Sequence, residues 1–356
     1  MIAAHSVAPL RYLSAGALLA TNYPIREFAI DPWLRVGESA LLWAPTGLGK
    51  TWLTLSLAVA MAGRGRVWQW EAPKARRVLL VDGEMNAQDL QERLKFLTES
   101  RAVGGADSKA LGENLILVSR QNQDPRAEFH DVTNRDHQER ILSYMEKHEI
   151  DVVIIDNLTT CADGLSDEND AVAFKTVMSF LMKMKAAGKT AILVHHANKA
   201  GTAARGSSAL EATFEVILGL QPIKLAKAGE ATFITVFGKF RAKGNDSLTP
   251  RRWTLTNDGW TVADDEESNG GKILHALRSL DFISRAEICA ALGISAPTVS
   301  RTIRKLIASG QMKEGEEIGL FSKARQLRRE DAAPFDDLDE TAENQGNTEE
   351  NDSEEF

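Results

Sequence analysis

The stretch "APTGLGKT", residues 44 to 51, spaces two glycines, a lysine and a hydroxyl as a polyphosphate cradle requires. Glycines let main-chain N–H groups converge on phosphate oxygens, and a helix opening at the lysine adds positive potential. The pattern is G-x-x-x-x-G-K-[ST] at every fixed position but the first, where Ala44 stands. An alanine serves there only if its φ is negative. Lys50 would reach the β- and γ-phosphates of ATP and Thr51 would hold Mg2+. Ala44, Pro45, Thr46, Gly47, Leu48, Gly49 and Trp52 would complete the nucleotide contacts. A chance glycine-rich turn is the competing reading. The apolar strand before the loop and the apolar helix after it favour the phosphate site.

A bound triphosphate also needs a carboxylate beside the metal and a group to orient water. "VVIIDN" supplies Asp156 at a strand end, where a magnesium ligand belongs and where a turn-capping Asp is the alternative. "LLVDGEM" ends a second strand with Asp82 and Glu84. Glu84 is the better candidate to polarise the attacking water, although Asp-Gly is also a turn signal. "ILVHHANK" brings His195 and His196 to the end of a third strand, where one of them would sense the γ-phosphate or simply be structural.

The elements that must position these groups follow from the apolar pattern. "ALLWA", "RRVLLVD", "NLILVS", "DVVIID" and "TAILVHH" are short continuous apolar runs separated by amphipathic helical stretches. They predict a mostly parallel sheet covered on both faces, an α/β class. "FEVILGLQ", "ATFITVFGKF" and "RRWTLTNDGW" predict antiparallel strands added at one sheet edge. This organisation divides the chain into a lead segment (1–35), an α/β ATPase domain (36–261), a linker (262–271), a small helical domain (272–325) and a tail (326–356).

With 356 residues the chain is long enough for one large domain and a small one. Its net charge of −8 argues against nucleic acid only until the distribution is considered. Residues 330 to 356 hold twelve Asp or Glu and no Lys or Arg, leaving 42 basic against 38 acidic residues elsewhere. The body is thus mildly basic, and the tail, acidic and poor in apolar residues, is expected to be disordered. Cys161 and Cys289 lack metal-ligand spacing. A reduced, cytoplasmic setting with no membrane partner is expected, since no apolar window reaches the roughly 18 residues of a span.

In the small domain, "SRAEICAALGISAPTVSRTIRKLIASG" reads as a helix-turn-helix. Ser284 caps the first helix, Gly293 makes the turn, and Val299, Ile303, Leu306 and Ile307 form one buried stripe. Thr298, Ser300, Arg301, Arg304 and Lys305 lie off that stripe, placed for duplex DNA or for solvent. A small hairpin is expected over residues 311 to 321, making the domain winged-helix-like.

Taken in order, "APTGLGKTWL", "VDGEM", "VVIIDNLT", "VHHANK", "RGSSALEATFEVIL" and "GKFRAKG" resemble the RecA-like P-loop ATPases, and most of all the RepA-type plasmid and phage replicative helicases. The resemblance spans roughly residues 25 to 260. It implies a ring, hexameric in such families, that moves on single-stranded DNA. It also implies that Glu84 is the catalytic base, Asp156 the metal-side acid and His196 the sensor. Lys239 and Arg241 would be a piston lysine and an arginine finger acting on the neighbouring subunit's nucleotide, with Lys243 leaving the register open. The loop 198 to 212, with Lys199 and Arg205, would face the channel and grip DNA, an ordinary surface loop being the alternative. The acidic tail, ending in Phe356, would compete with DNA or dock on replication proteins. Three functions remain open at this stage: a ring helicase, a DNA-binding ATPase that remodels or loads without unwinding, and a DNA-binding regulator switched by ATP.

Overall fold

The structure, a computed structural model, describes residues 10–164, 171–198, 201, 203–204, 208–223, 230–242, 248–264, 269–308 and 312–331. Helix α1 (Ala15–Ala20) precedes a short hairpin, β1 (Phe28–Ile30) and β2 (Leu34–Arg35). Strand β3 (Ser39–Ala44) then leads through the glycine-rich loop into α2 (Lys50–Gly63). A second small hairpin follows, β4 (Arg66–Val67) and β5 (Trp70–Glu71). The alternation continues through β6 (Val78–Asp82), α3 (Ala87–Glu99), α4 (Ser108–Asn114), β7 (Leu115–Ser119), α5 (Arg135–Lys147) and β8 (Val152–Asp156). It ends with α6 (Ala171–Ala186), β9 (Thr190–His196), α7 (Ser208–Thr213), β10 (Val216–Pro222) and β11 (Thr232–Phe240), then the hairpin β12 (Arg251–Thr256) and β13 (Gly259–Asp264).

Nine strands form one sheet in the order β13-β12-β11-β10-β3-β9-β8-β6-β7. From β10 to β7 every pairing is parallel, and β11, β12 and β13 extend the β10 edge antiparallel. The continuous Val/Ile/Leu runs are buried on both faces because a separate core lies on each side of the sheet. Helix α2 lies within one core and is buried from Leu53 to Gly63. Helix α6 supplies Phe174, Val177, Phe180, Leu181 and Met184 to the other.

Five of the seven tryptophans are joined by ring contacts: Trp33–Trp70, Trp70–Trp253, Trp68–Trp253 and Trp253–Trp260 have centroids 4.6 to 5.8 Å apart. This cluster ties both small hairpins and the β12–β13 hairpin onto one core. The β1–β2 hairpin accordingly belongs to the large domain, with Ala29, Ile30, Trp33 and Leu34 buried, although the sequence places it in the lead segment. Short strands with few residues escape a period-based reading.

The helical domain comprises α8 (Asn269–Ser279), α9 (Arg285–Leu292), α10 (Ala296–Ala308) and α11 (Glu316–Asp331), around Ile273, Leu277, Ile288, Val299, Ile303 and Leu306. Strand β13 runs to Asp264 and α8 starts at Asn269, so the expected linker shrinks from both ends. In place of the expected hairpin, α11 occupies residues 316 to 331 and takes the first residues assigned to the tail. Arg285 of α9 pairs with Glu317, and Arg328 with Glu287, 2.9 Å away, so α11 is held by charges that a strand pattern does not register. The rest of the acidic tail lies outside the described residues. Among the described residues no helix is long and apolar enough to cross a membrane.

Candidate active site

The end of β3 and the start of α2 build the cradle. Ala44 is the last residue of β3 and is not among the residues with positive φ, so the departure from glycine costs no backbone strain. Gly47 and Gly49 do need their type, with φ of 77° and 99°. At Gly49 a Cβ would also stand 2.7 Å from that of Ala231, which closes the loop against β11. Helix α2 carries no acidic residue in its first turn, and its N-cap Gly49 offers no side-chain acceptor, so its leading amides remain available to an anion.

Lys50 is buried and donates to the carbonyls of Ala44 (3.3 Å) and Pro45 (3.2 Å), and its Nζ lies 3.3 Å from His196 Nδ1. Burial lowers the Lys50 pKa, against the pull of Asp156 and Glu84. An amine held on carbonyls and desolvated gains from an incoming phosphate. Trp52 packs edge-on to Phe96 at 5.4 Å, with the Arg93 guanidinium 4.8 Å over its ring.

Parallel pairing sets Asp82 and Asp156 side by side at the ends of β6 and β8. Asp82 Oδ1 accepts the amides of Glu84 (3.0 Å) and Met85 (2.6 Å), so it shapes the turn that presents Glu84. Glu84 stays 46% exposed at its side chain and accepts from Asn157 Nδ2 at 2.7 Å. His196 Nε2 lies 3.6 Å from Glu84 Oε1 and 3.4 Å from Asn157 Nδ2, while its Nδ1 is 3.3 Å from Thr46 Oγ1. The neighbouring His196 leads the effects that hold the Glu84 pKa below its usual value, and the hydrogen bond from Asn157 adds to it. His195, one residue earlier, is buried, because alternation along β9 turns it to the other face.

Asp156 is buried, and its Oδ2 has no hydrogen-bond partner. Burial first, then the neighbouring Asp82 charge, push its pKa up to about 7 against the hydrogen bond with Thr51. A carboxylate with an orphaned oxygen beside a threonine hydroxyl fits a magnesium ion. Among the described residues no three His, Cys, Asp or Glu side chains form a metal cage. Magnesium suits that poverty, since it takes one or two protein ligands and completes its shell with phosphates and water. Asp156 and Thr51 would hold it, and it would neutralise charge on the phosphates.

The raised Asp156 pKa predicts how metal-free stability depends on pH. Between the ordinary 3.8 and about 7 the unfolded chain binds fewer protons than the folded one. Stability therefore falls as pH rises through that window and stays lower above it. Asp156→Asn is expected to raise the melting temperature of the metal-free protein by several degrees at pH 8, a gain of up to about 4 kcal/mol. At pH 4 the variant should gain nothing. A melting temperature unchanged or lowered at pH 8 would contradict this account.

The structure thus brings Lys50, Thr51, Glu84, Asp156 and His196 to one end of the sheet. Sequence reasoning missed Asn157, whose only signal is a polar residue directly after a strand-end aspartate. Lys239 and Arg241 lie elsewhere. Arg241 donates its backbone N–H to Glu215 O, and Glu215 donates to Ser39 O, placing Arg241 level with the start of β3. The phosphate loop leaves the other end of β3, about 16 Å away at the usual rise per residue. Lys199, Arg205 and Lys243 lie outside the described residues. Arg301 and Arg304 are exposed on α10, opposite its buried stripe.

A family model described as an AAA domain matches residues 5–202, and one described as a winged helix-turn-helix DNA-binding domain matches residues 268–311. No curated protein matches the chain. Among solved structures, a KaiC-like protein from the hyperthermophilic archaeon Pyrococcus horikoshii is 17% identical, with a TM-score of 0.46 over 67% of this chain and 99% of that one.

Proposed function

Because the chain belongs to the AAA domain family, with a RecA-like ATPase fold and a winged helix-turn-helix domain, we propose that it is an ATP- and magnesium-dependent DNA motor of RepA type, a helicase working as a ring on single-stranded DNA. The observation that carries this reading is the separation of Arg241 from its own phosphate loop. Arg241 is 55% exposed at its side chain and lies about 16 Å from that loop along β3. A cation so placed can serve a γ-phosphate only in a neighbouring subunit. In this reading Glu84 polarises the attacking water, Lys50 and His196 hold and sense the γ-phosphate, Thr51 and Asp156 hold magnesium, and Arg241 with Lys239 completes the neighbour's site. Lys199 and Arg205 contact DNA in the channel, Arg301 and Arg304 contact duplex DNA, and the acidic tail meets replication proteins.

The match of α8 to α10 to a DNA-binding module favours a second reading, an ATPase that remodels, loads or regulates on DNA without separating strands. A forked-DNA assay decides between the two. The wild-type chain is expected to unwind the fork with ATP, and Lys50→Ala is expected to abolish unwinding together with hydrolysis. Hydrolysis stimulated by DNA with no strand separation by the wild type would select the second reading.

A further inference from the structure

A cavity of about 550 Å³ opens between the β4–β5 turn, the segment after α3 and the β12–β13 hairpin. Its walls include Arg66, Trp68, Arg101, Gly104, Gly105 and Trp260, and none of the phosphate-site residues lines it. Trp68 and Trp260 are half-buried there. Trp68 has a φ of 56°, as the first position of the two-residue turn between β4 and β5 requires. Arg251 stacks over the Trp68 ring at 4.8 Å, and Trp260 Nε1 donates to Ser56 of α2 at 2.9 Å, so both indoles are fixed in place.

Arg66 and Arg101 are exposed, and among the described residues neither guanidinium has an ion-pair or hydrogen-bond partner. Arg76, Arg120 and Arg140 each face a carboxylate instead. Gly105, at φ 73°, would meet no atom within 4 Å of an added Cβ, so this part of the wall is open main chain. Among the described residues the cavity therefore combines two rigid aromatic surfaces, two uncommitted planar cations and no opposing carboxylate. Indole faces stack on nucleobases regardless of sequence, and guanidinium groups take phosphate oxygens in pairs. The volume lies in the range of small-ligand sites.

We propose that this cavity binds a nucleotide unit, with its base against Trp68 and Trp260 and its phosphate on Arg66 and Arg101. The ligand is either a free nucleotide or one residue of a single strand. The proposal does not depend on the motor reading, because it needs neither a ring nor the phosphate loop.

Calorimetry on the full chain, with the phosphate-loop site saturated by Mg-ADP, tests it using thymidine monophosphate, oligothymidylate and inorganic phosphate. The wild type should bind thymidine monophosphate at one site per chain. Arg101→Glu and the double variant Arg66→Ala/Arg101→Ala should weaken that binding about tenfold or more. Both positions are exposed and unpaired, so folding should survive, with basal ATP hydrolysis and melting temperature unchanged. If the oligonucleotide loses affinity in parallel, the site holds a residue of a strand. If only the mononucleotide does, the site takes a free nucleotide. Absence of thymidine monophosphate binding, equal binding in both variants, or inorganic phosphate binding as tightly as the nucleotide overturns the proposal.

Discussion

Arg241→Ala is expected to lower kcat for DNA-stimulated ATP hydrolysis by about 10³-fold with little change in nucleotide affinity. The reason is geometric. A guanidinium at the β3 start of the sheet cannot reach the loop at its far end, so in the proposed ring what the variant would lose is charge stabilisation in a neighbour's site. Mixing Arg241→Ala subunits with Lys50→Ala subunits should recover a measurable part of the rate. In the mixed ring some sites pair an intact phosphate loop with an intact Arg241. No recovery at any mixing ratio, or full activity in a strictly monomeric chain with ATP and DNA present, would remove the shared site and the motor assignment with it.

What Arg241 holds in this structure adds a coupling argument. Its Nη2 donates to Ala212 O at 2.8 Å, while Lys239 Nζ donates to Glu211 O at 2.7 Å and to Ala212 O at 3.1 Å. Both cations therefore cap the last carbonyls of α7, the helix that follows the segment carrying Lys199 and Arg205. Engaging a neighbour's phosphate would take Arg241 away from that cap. In the proposed ring, binding of the triphosphate at one seam thereby loosens the C-terminal end of the helix next in sequence to the segment proposed to face DNA, and loss of the γ-phosphate lets the cap re-form.

The parallel sheet was legible because its strands are buried on both faces, and continuous apolar runs such as "VVIID" and "TAILVHH" have no solvent-facing alternation to dilute them. The phosphate loop was legible because glycines at φ 77° and 99° admit few other residues. The choice between His195 and His196 was not, since both end one apolar strand and only the register with β3 assigns their faces. The role of Asp82 was equally hidden, because its hydrogen bonds to the Glu84 and Met85 amides depend on a turn, not on a spacing. Helix α11 escaped because its stability rests on Arg285–Glu317 and Arg328–Glu287, contacts 32 and 41 residues apart in sequence.

Glu84→Gln is expected to leave nucleotide binding within about twofold of wild type while cutting hydrolysis by about 10²- to 10⁴-fold. The amide keeps the size of the side chain and an oxygen to accept from Asn157 Nδ2, so the loss isolates the carboxylate charge. Asn157→Ala separates positioning from chemistry. It removes the 2.7 Å hydrogen bond that orients Glu84 and leaves the carboxylate, so kcat should fall less than in Glu84→Gln and the acid limb of the pH profile should move. The direction follows from the nearby His196 and the Asn157 hydrogen bond, which hold the Glu84 pKa low; losing the hydrogen bond raises it, and the rate should begin to fall at a higher pH. A Glu84→Gln variant that hydrolyses ATP at the wild-type rate would assign the water-activating role elsewhere, and the other two carboxylates at this end of the sheet are already committed, Asp156 beside Thr51 and Asp82 to the Glu84 and Met85 amides.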